Sequence, residues 1–324
     1  VGDPAESGST ACEFTEGLPP SRAGEVRAHV PVVLGCSHAC AYCIIPSKRG
    51  RERSRPTEEV LREARNLIEQ GAREIILLGQ IVDRYGLDLD PLTDLGALMR
   101  SVEHLKGVSR IRFLTSHPRY LSDSILDAMA GSSVICPHFE LPIQSGTDEV
   151  LARMRRGYTV EEYRRLVGKI RERIPGAAIH TDLIVGFPGE TEAQFEETLR
   201  LVEELRFDKI HLARYSPRPG TLAARRYPDD VPDAEKERRR RRIEDIQAGI
   251  QNEINRRFIG QIVSVLVERE ETRRPGRWRG RTPDDRLVFL DGPGSLRGRV
   301  LDVRVTWAGP FTLVGERMDD VPAG

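Results

Sequence analysis

Hydrophobic residues follow two spacings in turn along most of this chain. Short apolar runs typical of buried strands alternate with segments whose apolar residues recur every three or four positions, the spacing of one helix face. Six of the short runs are predicted to be strands: AHVPVVLG, REIILLGQ, SRIRFLTS, HFELPIQS, AIHTDLIVGF and DKIHLARYS. Strands that alternate with helices form parallel sheets, and right-handed connections between neighbouring strands curl such a sheet. We therefore predict an α/β fold, a partial (β/α)6 TIM-like barrel.

The segment RPTEEVLREARNLIEQG illustrates how these helices are specified. Thr57 is expected to cap the N-terminus, acidic residues suit the first turn, and Gly71 is expected to end the helix. Its buried face is predicted to consist of four residues: Leu61, Ala64, Leu67 and Ile68.

The last part of the chain has a different pattern. A long helix with isoleucines on one face is predicted over DAEKERRRRRIEDIQAGIQNEINRRF, and Val-rich runs separated by Gly and Pro follow it. These runs predict a small all-β barrel of about 65 residues, similar to an OB-fold. We thus divide the chain into a linker or arm at 1–27, an α/β domain at 28–257 and a β domain at 258–324.

The composition indicates where in the cell the protein works, but it says little about the function. Hydrophobic residues make up 39% of the chain and charged residues 31%, and no apolar run is long enough to cross a bilayer. No secretory signal pattern is present at the start of the sequence, so we expect a cytoplasmic protein that does not enter membranes. The 50 basic and 50 acidic residues cancel, but arginines cluster at Arg238–Arg242 and Arg273–Arg281.

Three of the five cysteines, Cys36, Cys40 and Cys43, follow the first predicted strand with the spacing C-x3-C-x2-C. In a reducing compartment such a cluster indicates metal ligands rather than disulfides, and the end of a barrel strand is where active sites gather. A structural zinc would need a fourth ligand, for which His38 or Cys136 is available. Three thiolates without a clear fourth ligand favour an iron–sulfur cluster with one open iron, and three plain reduced thiols are the remaining alternative.

These residues resemble the radical S-adenosylmethionine (SAM) enzymes, and IIPSKRGRERSRP after the third cysteine resembles their methylthiotransferase subfamily. The resemblance extends from about residue 28 to the C-terminus, and Tyr42 matches an aromatic residue usual before the third cysteine. It implies that the three cysteines hold a 4Fe-4S cluster whose open iron binds SAM. It also implies that this cluster cleaves SAM reductively to a deoxyadenosyl radical.

The resemblance further implies a set of cofactor-binding residues at strand ends. Gly79 and Gln80 are expected near the amino group of SAM, and Arg156 near its carboxylate. The remaining positions end the fourth and fifth strands: Gln144 and Ser145 for the ribose, and Ile184 and Gly186 for the adenine. Each has a plainer alternative, in which the glycines make turns, Gln144 bonds to the backbone and Arg156 is a solvated helix residue.

The β domain resembles the TRAM domain, an RNA-binding module of tRNA methylthiotransferases. In RRPGRWRGR, three arginines are expected to contact phosphates and Trp278 to stack on bases: Arg277, Arg279 and Arg281. The alternative is a solvated arginine loop with Trp278 packed beneath it. Arg238–Arg242 is expected to be a solvated helix face paired with nearby glutamates.

RFLTSHPRYLSD and GQIVDRYGLD resemble the branch that adds a methylthio group to isopentenyladenosine beside the tRNA anticodon. Sister branches act on threonylcarbamoyladenosine in tRNA or on a ribosomal-protein aspartate, and these stay as alternatives. Ser116 and His117 are expected on the active face, and Arg218 at its mouth. A different class of function also stays open, namely an inactive, zinc-stabilised RNA-binding module.

Methylthiotransferases carry an N-terminal domain whose three further cysteines hold an auxiliary 4Fe-4S cluster. Neither Cys12 nor Cys136 reproduces that trio, and we expect a free thiol at Cys12 and a core residue at Cys136. We therefore expect this chain to be incomplete by itself for sulfur insertion, whether it is a fragment of a longer enzyme that carries the trio or a complete protein. The expected partners are tRNA, SAM and a low-potential electron donor such as flavodoxin.

Overall fold

The structure is a computed structural model that describes residues 24–318. Cys12 and the predicted arm up to residue 23 lie outside the described residues.

The N-terminal part alternates strands and helices as the hydrophobic pattern predicts. Its elements, in chain order, are β1 (Arg27–Pro31), β2 (Val33–Leu34), α1 (Ile45–Arg49), β3 (Arg53–Ser54), α2 (Thr57–Glu69), β4 (Glu74–Leu78), α3 (Leu95–Glu103), β5 (Arg110–Phe113), α4 (Asp123–Ala130), β6 (His138–Glu140), α5 (Asp148–Met154), α6 (Val160–Arg173), β7 (Ala178–Val185), α7 (Glu192–Leu205), β8 (Lys209–Arg214), α8 (Leu222–Arg226) and α9 (Asp233–Arg256). A single 3-10 turn, Val82–Arg84, follows β4.

Six of these strands form the predicted parallel barrel. β1, β4 and β5 pair in parallel, as do β6, β7 and β8. A parallel bridge between Ile111 and Ile135 and a hydrogen bond from Ser116 N–H to the Glu140 carbonyl (3.1 Å) join the two halves. The partial (β/α)6 barrel is therefore confirmed, and β2 and β3 add a short antiparallel pair beside its first strand.

Helix α2 shows where the sequence prediction held and where it failed. Ala64, Leu67 and Ile68 are buried as predicted, whereas Val60 is buried in place of Leu61, which is only partly covered. The predicted Thr57 cap is wrong, because Thr57 is the first helical residue. Pro56 precedes it without a side-chain cap, and its ring fixes a backbone angle that suits a helix entry.

The C-terminal part is a closed barrel, as the Val-rich runs predict. Its strands are β9 (Ile262–Glu270), β10 (Arg277–Arg281), β11 (Leu287–Asp291), β12 (Val300–Ala308) and β13 (Leu313–Arg317). They close in the order β10-β11-β13-β12-β9. β10 lies in RRPGRWRGR, outside the Val-rich runs, and its pairing with β9 depends on Gly280, where a Cβ atom would lie 2.3 Å from the Leu266 carbonyl oxygen.

The closed barrel sits against the N-terminal mouth of the parallel barrel, opposite the cysteine loop. Arg112 donates to the Pro283 carbonyl (2.9 Å) and Arg110 to the Arg281 carbonyl (2.6 Å). Arg27 at the start of β1 pairs with Asp285 (3.3 Å) and with Glu74 (3.0 Å). These contacts join the two barrels through buried and half-buried charges.

Among the described residues, no helix is both long enough and apolar enough to cross a membrane.

Candidate metal centre and cofactor site

The cysteine loop lies at the C-terminal mouth of the parallel barrel. Gly35 starts the loop with φ of +70°, and a Cβ atom there would lie 2.2 Å from the Arg51 carbonyl oxygen, so no other residue fits. Cys36 N–H donates to the Gly50 carbonyl (3.1 Å), and Cys43 N–H to the Cys40 carbonyl (3.1 Å). The backbone thus holds the three cysteines on one ordered turn.

The three sulfur atoms share a polar environment of nitrogen donors. Cys36 Sγ accepts a hydrogen bond from His38 N–H (3.4 Å), and Cys40 Sγ lies 3.6 Å from His38 Nδ1. Burial raises the pKa of the Cys36 and Cys43 thiols. A metal bound here would supply the positive charge that these thiolates need to be stable.

The sulfur separations disfavour the zinc alternative. One zinc ion with ligands at about 2.3 Å requires tetrahedral sulfurs about 3.8 Å apart. In the described part of the chain, the groups that bring three ligand atoms within 4.8 Å of one another do not include these cysteines. A 4Fe-4S cluster binds each thiolate through a different iron, so it suits a more widely spaced trio.

Cys136 is not available as a fourth ligand. It is a buried core residue, as predicted, and its N–H donates to the Ile111 carbonyl (2.8 Å). Burial raises its pKa to about 11, although Arg112 at the opposite mouth of the barrel lowers it.

Arg156 lies beside the cysteines with only 5% of its surface exposed, so the solvated-helix alternative is wrong. Its guanidinium donates to Cys40 Sγ (3.2 Å), to Tyr158 OH (2.9 Å) and to the Pro142 carbonyl (3.2 Å). Within the described residues it forms no ion pair with a carboxylate. A buried guanidinium without an anion is costly, so this site is suited to a ligand that brings a carboxylate.

Gly79 and Gln80 follow β4 and are half-buried. A Cβ atom on Gly79 would lie 3.0 Å from Val82 Cα and 3.1 Å from Val33 Cβ. The glycine therefore lets the turn after β4 pack closely against its neighbours.

Gln144 and Ser145 end the segment after β6. Gln144 adopts φ of +78°, and its backbone bonds on both sides to β7, through the Asp182 carbonyl (2.9 Å) and the Ile184 N–H (3.0 Å). Left-handed backbone is uncommon at a residue other than glycine and concentrates at ligand sites. Ser145 is buried, and its hydroxyl has no hydrogen-bond partner in the described residues.

Ile184 and Gly186 lie at the end of β7. Gly186 has φ of +69°, and a Cβ atom there would lie 2.3 Å from Lys236 Cγ. Its N–H donates to Glu190 Oε2 (2.6 Å), which in turn pairs with Arg239 (2.8 Å). Gly186 is thus required by local packing, whichever ligand binds beside it.

Ser116 and His117 lie on the active face and share a carboxylate that the sequence analysis missed. Ser116 Oγ donates to Asp83 Oδ1 (2.9 Å), and His117 N–H donates to Asp83 Oδ2 (2.6 Å). Burial raises the pKa of Asp83 to about 7 and lowers that of His117 to about 2. The His117 ring lies 4.5 Å from the His38 ring, so Asp83 positions a neutral imidazole next to the cysteine loop.

Arg218 is exposed on the loop after β8. That loop lies near the cysteines, because Ala223 N–H donates to the Ala41 carbonyl (2.7 Å) and Gly220 faces Ile44. The predicted location at the mouth therefore agrees with the fold.

The arginine strand β10 lies at the other end of the molecule, and Trp278 is not a stacking surface. Trp278 is 5% exposed, packs in the core of the closed barrel and donates through Nε1 to the Gly292 carbonyl (3.2 Å). Arg277 covers the Phe289 ring at 5.0 Å, and Arg281 pairs with Glu268 (3.2 Å) and Asp285 (3.1 Å). Strand alternation turns Trp278 inward and its flanking arginines outward.

Sequence analysis also missed a polar cluster inside the parallel barrel. His138 Nε2 and His180 Nδ1 lie 2.9 Å apart, and Glu140, Asp182 and His211 occupy neighbouring inward positions. Burial raises the pKa of Glu140 to about 7 and lowers that of His180 to about 3. The sequence carried a signal for this polar face, because His138 and Glu140 in β6 and His180 and Asp182 in β7 stand at alternate positions.

Family profiles and curated relatives agree on the identity of both barrels. The Radical SAM superfamily profile matches residues 30–202, and the TRAM domain profile matches residues 256–317. Three proteins named tRNA-2-methylthio-N(6)-dimethylallyladenosine synthase, from Chloroflexus aurantiacus, Roseiflexus sp. and Herpetosiphon aurantiacus, are 48%, 48% and 46% identical over 91%, 90% and 92% of this chain. The chain spans 64%, 61% and 68% of the length of these relatives.

Solved structures agree on the fold. A radical SAM methyltransferase from Kitasatospora setae superposes with a TM-score of 0.51 at 20% identity, over 60% of this chain and 38% of its own. Coproporphyrinogen III oxidase from Escherichia coli superposes with a TM-score of 0.51 at 18% identity, over 72% of this chain and 54% of its own.

Membership of the superfamily implies a 4Fe-4S cluster and SAM, and the sulfur donors and the unpaired Arg156 fit that pair of cofactors. The chain belongs to the radical SAM superfamily and, within it, to the family of the tRNA-2-methylthio-N(6)-dimethylallyladenosine synthases, with a C-terminal TRAM domain.

Proposed function

We propose that this chain is the SAM-cleaving and RNA-binding part of a methylthiotransferase that acts on isopentenyladenosine next to the tRNA anticodon. The names of its relatives support the reaction and the substrate, and the cysteine loop supports the cofactor chemistry. The sister substrates, threonylcarbamoyladenosine and a ribosomal-protein aspartate, have no such support among these relatives.

The observation that carries the proposal is the buried guanidinium of Arg156 beside Cys40. Cys36, Cys40 and Cys43 hold a 4Fe-4S cluster, which supplies the electron that cleaves SAM to a deoxyadenosyl radical. Arg156 binds the SAM carboxylate, because its guanidinium is buried beside Cys40 and forms no ion pair with a carboxylate of the described residues.

The other strand ends shape the pocket around the rest of SAM. Gly79 and Gln80 lie next to its amino group. The hydroxyl of buried Ser145, which has no hydrogen-bond partner among the described residues, forms a hydrogen bond with a ribose oxygen. Gln144 lies beside the same ribose, and Ile184 and Gly186 form the edge of the adenine pocket.

Substrate contacts divide between the mouth and the TRAM domain. Ser116 and His117 form part of the wall of the mouth, and Arg218 is free to meet an RNA phosphate. We place the domain boundary at 257 and 258, and the protein in the cytoplasm, where thiols stay reduced. Sulfur insertion requires an auxiliary 4Fe-4S cluster in the longer parent enzyme, and a low-potential donor such as flavodoxin supplies electrons.

The test compares Arg156 with its neighbour Arg155, which is exposed and adopts left-handed backbone that glycine tolerates. The chain is reconstituted anaerobically with iron and sulfide, and SAM binding and 5′-deoxyadenosine formation are measured. Arg156→Ala is expected to weaken SAM binding roughly 10- to 150-fold, because a hydrogen-bonded charge contributes about 1.5–3 kcal/mol. Arg155→Gly is the matched control and is expected to behave as wild type.

Cluster absorbance should be the same in both variants, so a loss of cluster is separable from a loss of SAM binding. A wild-type chain that holds one zinc ion, stays colourless and does not cleave SAM would contradict the proposal. Equal SAM affinity in the Arg156→Ala and Arg155→Gly variants would remove the role assigned to Arg156.

A further inference from the structure

The closed barrel buries one of the two tryptophans of the chain and exposes the other. Trp307, near the end of β12, is 53% exposed, and Phe311, on the turn that follows, is 71% exposed. Large aromatic side chains are seldom left this open on a surface without a partner. Both lie on the side of the barrel formed by β12 and the turn into β13.

Gly309 holds the Trp307 ring in place. A Cβ atom on Gly309 would lie 2.5 Å from a ring carbon of Trp307, so the indole rests against backbone that only glycine leaves open. One side of the ring is covered in this way while half of its surface stays accessible. The side chain is therefore preorganised, and a ligand that stacks on it loses little conformational entropy.

The turn that carries Phe311 is anchored to helix α9. Gly309 N–H donates to the Thr312 carbonyl (2.9 Å), which closes the turn. Asn255, a buried residue at the end of α9, donates through Nδ2 to the Gly309 carbonyl (2.8 Å) and the Pro310 carbonyl (3.1 Å). Trp307 and Phe311 thus sit on a surface that the long helix supports.

Two exposed arginines lie near this surface. Arg256 follows Asn255 at the end of α9, and Arg304 faces outward on β12, about 10 Å along the strand from Trp307. Neither forms an ion pair within residues 24–318. By contrast, Arg238–Arg242 on the same helix as Arg256 are all paired with glutamates.

We propose that Trp307 and Phe311, flanked by Arg256 and Arg304, bind single-stranded RNA by stacking its bases. This surface, the Trp307 platform, takes over the role that the sequence analysis gave to Trp278, and it rests on the proposed function for its RNA partner. Aromatic rings accept any base through its π face, and unpaired guanidiniums attract the phosphates on either side. Asp302 and Glu316 are also exposed, but neither lies between Arg304 and Trp307. Glu316 is opposite Arg304 on β13, and Asp302 is two residues further from Trp307 along β12.

The presence of two tryptophans allows a direct test. In a Trp278→Phe chain, Trp307 is the sole tryptophan, and an anticodon stem-loop RNA is expected to quench its fluorescence on binding. In a Trp307→Phe chain, the sole tryptophan is the buried Trp278, and the same RNA is expected to leave its emission unchanged. Quenching of Trp278 with none at Trp307 would overturn the platform.

Affinity gives a second readout on the full chain. Trp307→Ala is expected to weaken binding of the stem-loop roughly 5- to 150-fold, because stacking of one base contributes about 1–3 kcal/mol. Trp307→Phe keeps a stacking ring and is expected to retain most of the affinity. The circular dichroism of both Trp307 variants should match wild type, since Trp307 is half exposed.

The possible outcomes separate this proposal from the proposed function. If wild type binds the stem-loop and Trp307→Ala binds it equally well, the platform is wrong and the proposed function stands. If wild type does not bind RNA but cleaves SAM, both the platform and the RNA half of the proposed function fail. If sedimentation shows a wild-type dimer that Trp307→Ala converts to a monomer, the surface binds a second copy of the chain instead.

Discussion

At the N-terminal mouth of the parallel barrel, buried charges meet buried charges of the opposite sign. Glu74 accepts from Arg27 (3.0 Å) and Arg112 (2.9 Å), and Asp285 approaches both arginines from the closed barrel. At the C-terminal mouth, Arg156 is equally buried but contacts a thiol, two phenols and a carbonyl instead of a carboxylate.

This difference distinguishes buried polar groups that stabilise the fold from buried polar groups that can bind a ligand. A buried ion network whose charges are paired within the protein fixes one arrangement, here the docking of two domains, and leaves no unmatched charge for a ligand. A buried charge whose partners are all neutral is suited to bind an anion. The two mouths of one barrel thus show the same residue type in opposite roles, distinguished by what each guanidinium contacts.

Cys40→Ser is expected to have the largest effect on this comparison, because it removes one of three soft ligands. We expect loss of cluster absorbance and of SAM cleavage, with RNA affinity unchanged, since the TRAM domain lies at the other mouth. Iron analysis, deoxyadenosine formation and stem-loop binding check this. Loss of RNA binding together with the cluster would show that the loop is needed for the fold of the whole chain.

Glu74→Gln tests the paired network at the N-terminal mouth. Removing the charge leaves Arg27 and Arg112 facing a neutral amide, which is expected to destabilise the chain by about 3–5 kcal/mol. Denaturant unfolding measures the effect, and exposed Glu69→Gln on α2 is the matched control. If both variants were equally stable, the network would not be what holds the two barrels together.

Asp83→Asn tests a case between the two mouths. The Asp83 carboxyl is buried and accepts hydrogen bonds from Ser116 and His117, but no cationic side chain pairs with it in the described residues. Burial raises its pKa from 3.8 to about 7, so the folded state binds a proton that the unfolded state releases between these values. Its contribution to stability is therefore present at low pH and is lost as the pH rises through about 7.

The asparagine variant is expected to flatten this fall in stability, by up to about 4 kcal/mol across that range. Denaturant unfolding at several pH values between 4 and 8 is the measurement, with exposed Asp302→Asn as the control. An unchanged pH profile in Asp83→Asn would mean that the carboxyl keeps an ordinary pKa.

The smallest expected effect is on the salt dependence of RNA binding, measured for two arginines of the closed barrel. Arg304→Ala is expected to reduce the slope of log affinity for RNA against log salt by about 0.7, the value for one single-stranded phosphate contact. Arg281→Ala removes a residue already paired with Glu268 and Asp285 and is expected to leave the slope unchanged. If Arg281→Ala reduced the slope and Arg304→Ala did not, the RNA site would lie at β10 instead.

Local patterns were enough to predict the order of the elements and the composition of the cysteine loop. Strand and helix spacings depend on which residues face a core, and the C-x3-C-x2-C turn lies within a few residues of chain, so both are written in neighbouring positions. The same logic missed β10, because RRPGRWRGR lacks the valines of the other runs and has only two inward positions, Trp278 and Gly280, which alternate with arginines.

Only the tertiary structure decided which buried groups have partners. Arg156 approaches Cys40 across 116 positions of sequence, Asp83 reaches Ser116 and His117 from another strand end, and Asp285 reaches Arg27 from another domain. It also decided which tryptophan is open to a ligand, since Trp278 and Trp307 both lie on strands of the closed barrel. Sequence spacing determines the side of an element on which a residue lies, whereas its partner depends on the packing of distant elements against that side.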